Sequence, residues 1–230
     1  MSPAQFRAFL SSLSPSVYPI LGPDYSDQDF CSLDLSIHNP SLEAVNVASV
    51  HELGQFVDTI IANNTAKVAY GGYLEQRGIY QRSAYFNQSD PKTERSIHLG
   101  LDLWIAAETP IHAPLSGTLH SFNNNTNFGD YGPTLILEHN IKNATFYTLY
   151  GHLSLKSLDG KQVGQAIHRG ELIATLGAPE VNGNYPPHLH FQMIRDLQGN
   201  FGDYPGVSAL NNLEFYKENC PDPNLLLNLY

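Results

Sequence analysis

The chain has 230 residues, 42% of them hydrophobic and 15% charged, with a formal net charge of −10 from 22 acidic and 12 basic residues. A chain of this length buries roughly 70% of the surface that its unfolded form exposes, so one domain with sizeable flanking pieces needs no covalent staple. The acidic balance and the lack of any basic run exclude nucleic acid and anionic surfaces as partners, and no apolar run approaches the ~20 residues of a membrane span.

The opening "MSPAQFRAFLSSLSPSVYPI" lacks a basic stretch followed by an apolar one, so no secretory signal is read and a cytoplasmic location is expected. Cys31 and Cys220, the only cysteines, are then expected as reduced thiols. Within residues 1–95, Ser2 before Pro3 reads as the start of a helix over "PAQFRAFLSSL". A second helix is predicted where Val50, Leu53, Phe56, Val57, Ile60 and Ile61 recur at helical spacing behind Ser49. The tyrosine- and arginine-rich stretch "VAYGGYLEQRGIYQRSAYF" has no clean period.

Residues 96–195 read as all-β, with short apolar runs broken by Gly, Pro and Asn. The predicted fold is therefore mainly β: an antiparallel sandwich or barrel-like core over 96–195, an N-terminal helical extension over 1–95 packed on it, and a wrapping tail over 196–230. Pro205, Pro221 and Pro223 limit regular structure in that tail.

Ten histidines are the compositional anomaly. In "PPHLHFQM", His188 and His190 stand two apart, which on a strand puts both on one face about 7 Å apart. In "IHLGLDLW", His98 and Asp102 stand four apart, about 13 Å on a straight strand and too far for one ion unless Gly100 turns the backbone. His152 in "YTLYGHLS" reads, in isolation, more readily as a strand-end histidine with a satisfied hydrogen bond than as a functional group. His139 reads as structural or solvated, and His112, His120, His38, His51 and His168 attract no role.

Taken together, His98, Asp102 and His190 offer two imidazoles and a carboxylate, a donor set that leaves a fourth tetrahedral position on one Zn²⁺ ion for water. His152 and His188 would then stand beside that water, to take its proton and to stabilise a developing oxyanion.

These motifs resemble the lysostaphin- and LytM-type zinc metalloendopeptidases. His98 and Asp102 match the family's His-x-x-x-Asp, His152 in "YGHLS" its middle histidine, and "HLH" its closing His-x-His, over about residues 96–195. The resemblance implies a small antiparallel sheet with a substrate groove, His98, Asp102 and His190 on zinc, His152 and His188 as catalytic histidines, and a peptide substrate, typically a peptidoglycan cross-link. Glu108 stands where the family commonly has glycine, a change expected to alter only a turn. The flanks "YLEQRGIYQRSAYF" and "CPDPNLLL" are similar to segments that bracket such a domain between a kinase-like domain and an aminotransferase in large bacterial proteins, which implies a cytosolic branch.

Arg77, Arg82, Tyr147 and Tyr150 are candidate substrate or loop contacts, although tyrosines at strand spacing are more often core. A non-catalytic zinc-binding regulatory module and a zinc hydrolase of a non-peptide amide stay open as alternatives. So does a lid formed by residues 1–95, and nothing in the pattern reports an oligomeric state.

Overall fold

In a computed structural model, residues 1–83, 86, 90 and 92–229 are described. Ala84 and Tyr85 of the tyrosine- and arginine-rich stretch lie outside them. Helix α1 (Pro3–Leu13) starts on a capping box, in which Ser2 Oγ accepts from Gln5 N and Gln5 Oε1 accepts from Ser2 N. Helix α2 (Val50–Asn63) is capped by Ser49 and buries Leu53 and Val57. Both helices run where the sequence periodicity places them.

Twelve strands follow in chain order among the described residues: β1 (Phe30–Ser32), β2 (Val68–Gly71), β3 (Arg95–His98), β4 (Leu101–Trp104), β5 (Pro110–His112), β6 (Gly117–Asn125), β7 (Gly132–Ile141), β8 (Ala144–Gly151), β9 (Ala166–Ile167), β10 (Leu172–Thr175), β11 (His188–Ile194) and β12 (Val207–Ala209). The fold is mainly β. Eight strands make one sheet in the order β1-β2-β4-β11-β8-β7-β6-β9, antiparallel except for the parallel pair β1–β2, and β10–β5 and β12–β3 form two-stranded ribbons.

Two features depart from the predicted division of the chain. The stretch before residue 95 is not simply packed on the core, because β2 is hydrogen-bonded between β1 and β4 inside the main sheet. The tail is less irregular than its prolines suggest. It supplies β12, helix α3 (Leu213–Asn219) and helix α4 (Asn224–Leu227), with Pro223 just ahead of α4, where its missing N–H costs no helical bond.

Strand alternation gives the sheet two unlike faces. Leu101, Leu103, Phe146, Tyr150, Leu189, Phe191 and Met193 point to one side and pack with Phe6, Leu10 and Leu13 of α1 and Leu226 of α4. The other side carries two smaller apolar clusters. One gathers Leu53 and Val57 of α2 with Trp104 and Tyr185, and the other gathers Leu99, Tyr131, Leu149 and Tyr204. Both free cysteines are buried. Among the described residues no helix is long and apolar enough to cross a membrane.

Candidate active site

His98 and Asp102 meet because β3 and β4 are separate strands joined through Leu99 and Gly100. β3 pairs with β12, whereas β4 enters the main sheet with Asp102 directly opposite His190 of β11. The break brings His98 Nε2 within 3.2 Å of Asp102 Oδ1, and His190 Nδ1 lies 3.2 Å from the same oxygen. Gly100 contributes by its lack of a side chain: a Cβ there would stand 2.5 Å from His190 Cε1.

Hydrogen bonds on the far side of each ring fix which nitrogen is free. His98 Nδ1–H donates to Gly72 O at 2.9 Å, and His190 Nε2–H donates to Gln192 Oε1 at 2.9 Å. Gln192 is itself held by donating to Pro205 O and Cys220 Sγ. His98 Nε2 and His190 Nδ1 are thereby left with lone pairs, facing each other at 2.8 Å. Asp102 Oδ1, buried beside them, has no hydrogen-bond partner. Burial lowers the His98 pKa to about 3. Burial alone would raise the Asp102 carboxyl, but His98 and the Arg77 guanidinium outweigh it and hold the group well below the usual range.

Three proton-free acceptors in van der Waals contact repel one another unless a cation lies between them. These three ligand atoms lie within 4.8 Å of one another, and the set of two imidazoles and one carboxylate suits zinc.

His152 and His188 stand beside this cluster, their ring centroids 4.2 Å apart. His152 follows the last residue of β8 with φ +62°, a strained conformation for a residue with a side chain. Its Nδ1–H donates to Asn182 O at 2.7 Å, and His188 Nδ1–H donates to Pro186 O at 2.8 Å, so each keeps Nε2 as an acceptor. Trp104 stacks on His188 at 4.0 Å. Burial lowers His188 to about 4, and burial with the neighbouring His188 and His190 sets His152 well below the ordinary value.

All of these groups line one cavity of about 210 Å³ whose walls include Tyr80, Tyr131, Tyr185 and Tyr204. None of His98, Asp102, His152, His188 and His190 is more than 5% exposed.

The substrate contacts expected from sequence fare differently. Arg77 lines the cavity with its guanidinium engaged by two carboxylates, Nη1 2.6 Å from Asp102 Oδ2 and Nε on Glu75. Tyr150 points into the opposite, apolar face: it pairs with Phe191, and Gly151 is the residue opposite His190. Tyr147 shares the histidine face but pairs with Ile194, four residues along β11, and stacks edge-on against His120. Arg82 lies between Tyr185 and Phe128, 4.1 and 5.0 Å from the ring centroids, and ties its segment to two loops of the β domain. From the segment before residue 96, Leu35, Ile79, Tyr80 and Phe86 contribute to the wall of the cavity.

Sequence reasoning missed Tyr131. Its ring fits against Gly151 and Gly206, where a Cβ would overlap it, and lies 5.0 Å from the His190 ring, with its hydroxyl 3.4 Å from Gln192 Oε1. Its one sequence signal was a lone tyrosine heading the apolar run "YGPTLILEH". Glu108 adopts φ +65°, the conformation glycine favours, which fits the turn expected at that place.

The profile of peptidase family M23 matches residues 96–201. Over that span the chain is similar to an M23 peptidase domain. That span holds every one of the cavity's histidines and Asp102, but neither Gly72 nor Arg77. The L-Ala–D-Glu endopeptidase of Bacillus subtilis (strain 168) is 27% identical over 132 residues, 54% of this chain and 38% of that protein, so the chain spans well under half of the curated relative it matches. Among solved structures, a zinc-containing peptidase from Vibrio cholerae is 28% identical, with 47% of this chain and 30% of that chain covered and a TM-score of 0.35. The catalytic domain of lysostaphin from Staphylococcus simulans is 21% identical, with 71% of this chain and 97% of that chain covered and a TM-score of 0.39.

Proposed function

We propose that the chain hydrolyses a peptide bond with one zinc ion held by His98 Nε2, Asp102 Oδ1 and His190 Nδ1. The observation that carries this reading is the buried, unpartnered Asp102 Oδ1 between two imidazole nitrogens whose opposite nitrogens already donate elsewhere. Zinc at such a position polarises a carbonyl and lowers the pKa of water towards about 7.

The rest of the chemistry falls to the chain's own side chains. His188 Nε2, free and unprotonated, accepts the proton of the attacking water as its oxygen bonds to the carbonyl carbon. The same proton then goes to the leaving amine as the C–N bond breaks. His152 Nε2 is a second free acceptor beside His188, so it stabilises the oxyanion only once it has itself taken up a proton, and Tyr131, kept protonated by burial, is a donor in the same cavity.

The M23 match and the endopeptidase relative support a peptide or peptidoglycan-type substrate. The small, walled cavity favours a short peptide over a continuous polymer strand, and it would take a small non-peptide amide by the same chemistry. The two buried free thiols support a cytoplasmic setting.

The test is metal analysis of the purified protein joined to hydrolysis of a short-peptide library before and after chelation. Zinc near one equivalent, and cleavage that chelation abolishes and zinc restores, are expected. Undiminished cleavage by metal-free protein would sink the reading.

A further inference from the structure

Two of the three ligand residues are oriented by a segment that precedes the M23 match. Gly72 O accepts from His98 Nδ1 at 2.9 Å, and Arg77 Nη1 donates to Asp102 Oδ2 at 2.6 Å. The segment is pinned alongside β3: Leu74 N donates to His98 O, His98 N to Glu75 O, and Arg77 N to Ser96 O. Glu75 holds the Arg77 guanidinium through one carboxylate oxygen and accepts from Leu35 N at 2.9 Å through the other. Gly72 has φ +106°, and a Cβ on it would overlap the guanidinium and stand 2.8 Å from His98 Nδ1.

We infer that Gly72 and Arg77 are positioning residues of the metal centre, so that the working unit begins near residue 68 rather than at residue 96. The inference rests on the zinc reading above. Arg77, 4% exposed, occupies Asp102 Oδ2 and reserves Oδ1 for the ion, and Glu75 balances its charge. Gly72 O keeps the His98 proton on Nδ1 and its lone pair on Nε2. Partners behind a metal ligand fix its orientation and basicity, and their loss typically weakens metal binding by about 10–100-fold.

The test is zinc affinity by chelator competition, with the visible spectrum of the cobalt-substituted full-length protein, for wild type, Arg77→Met, Arg77→Lys and Gly72→Ala. Arg77→Met and Gly72→Ala are expected to weaken zinc by about 10–100-fold and to alter the cobalt bands, with Arg77→Lys recovering part of the loss. A folded Arg77→Met protein with wild-type affinity and spectrum overturns the inference, and so does one that binds zinc more tightly. If Arg77→Met does not fold, Arg77→Lys and Glu75→Gln decide, and unchanged affinity and spectrum in both overturn it. A wild type that takes up neither metal overturns the zinc reading and this inference together. A wild type that binds zinc while the variants bind it equally well overturns this inference alone.

Discussion

Strand β11 carries Leu189, Phe191 and Met193 on one side and His188, His190 and Gln192 on the other, and β4 does the same with Leu101 and Leu103 against Asp102 and Trp104. The apolar side is continuous with the main core and is closed by helices from both ends of the chain. The histidine side interrupts its apolar clusters with proton-free acceptors, which have unfavourable contacts until something cationic joins them. Neighbouring residues of one strand thus serve opposite ends, one side supplying stability and the other holding groups poised for chemistry at a cost in stability.

Adjacent substitutions separate the two sides most sharply. His190→Ala should reduce peptide hydrolysis to the uncatalysed background while changing metal-free stability less than Phe191→Ala does, as read by paired activity assays and urea unfolding. Phe191→Ala should cost about 3–5 kcal/mol of unfolding free energy. Equal stability losses in the two variants would break the contrast. Chelation should act on the histidine side alone, lowering the apparent unfolding free energy by about 4 kcal/mol if free zinc had stood at ~1,000 times its dissociation constant. Calorimetry of wild type and His190→Ala checks this, since the variant should not respond.

His139 sharpens the comparison from the apolar side. It is buried, with Nδ1–H on Ser116 O and Nε2 2.8 Å from Thr148 Oγ1, and burial lowers its pKa to about 4. The unfolded chain binds that proton near the ordinary value of 6.5, so this contribution is fully present above that pH and is lost as pH falls to about 4. The loss is about 3 kcal/mol at ~1.4 kcal/mol per unit. Unfolding midpoints of wild type and His139→Gln between pH 7 and pH 4 should converge as pH falls. The smallest effect belongs to a turn outside both faces: Glu108→Gly should stabilise by up to about 1 kcal/mol, because glycine removes the left-handed strain at φ +65°.

Much of this was legible in the sequence. Helices α1 and α2 followed from caps and a 3.6-residue period, and the clustering of His188 with His190 followed from the period of two. The same rule, applied to Tyr150, turns it away from the site, since Gly151 is the residue level with His190. What could not be read was pairing at long range. Val68–Gly71 is too short to announce a strand, yet it enters the sheet next to β4, and the backbone beyond it delivers Gly72 O and Arg77 to residues more than twenty positions away. Gly100 was read as the turn that brings His98 to Asp102, and it does lie at a bend between β3 and β4; the room it leaves for the His190 imidazole was not legible in the sequence.

The sheet order also has a consequence for how the molecule is made. β11 lies between β4 and β8 but is the eleventh strand to leave the ribosome. Until it arrives, β4 and β8 each present an unpaired edge, the kind of surface that templates aggregation. The two imidazoles that face each other come from residues 98 and 190, so the chemical centre closes only with that last central strand. A nascent chain stopped short of residue 188 would therefore have its apolar strands without the piece that joins them, a window in which a chaperone is most needed.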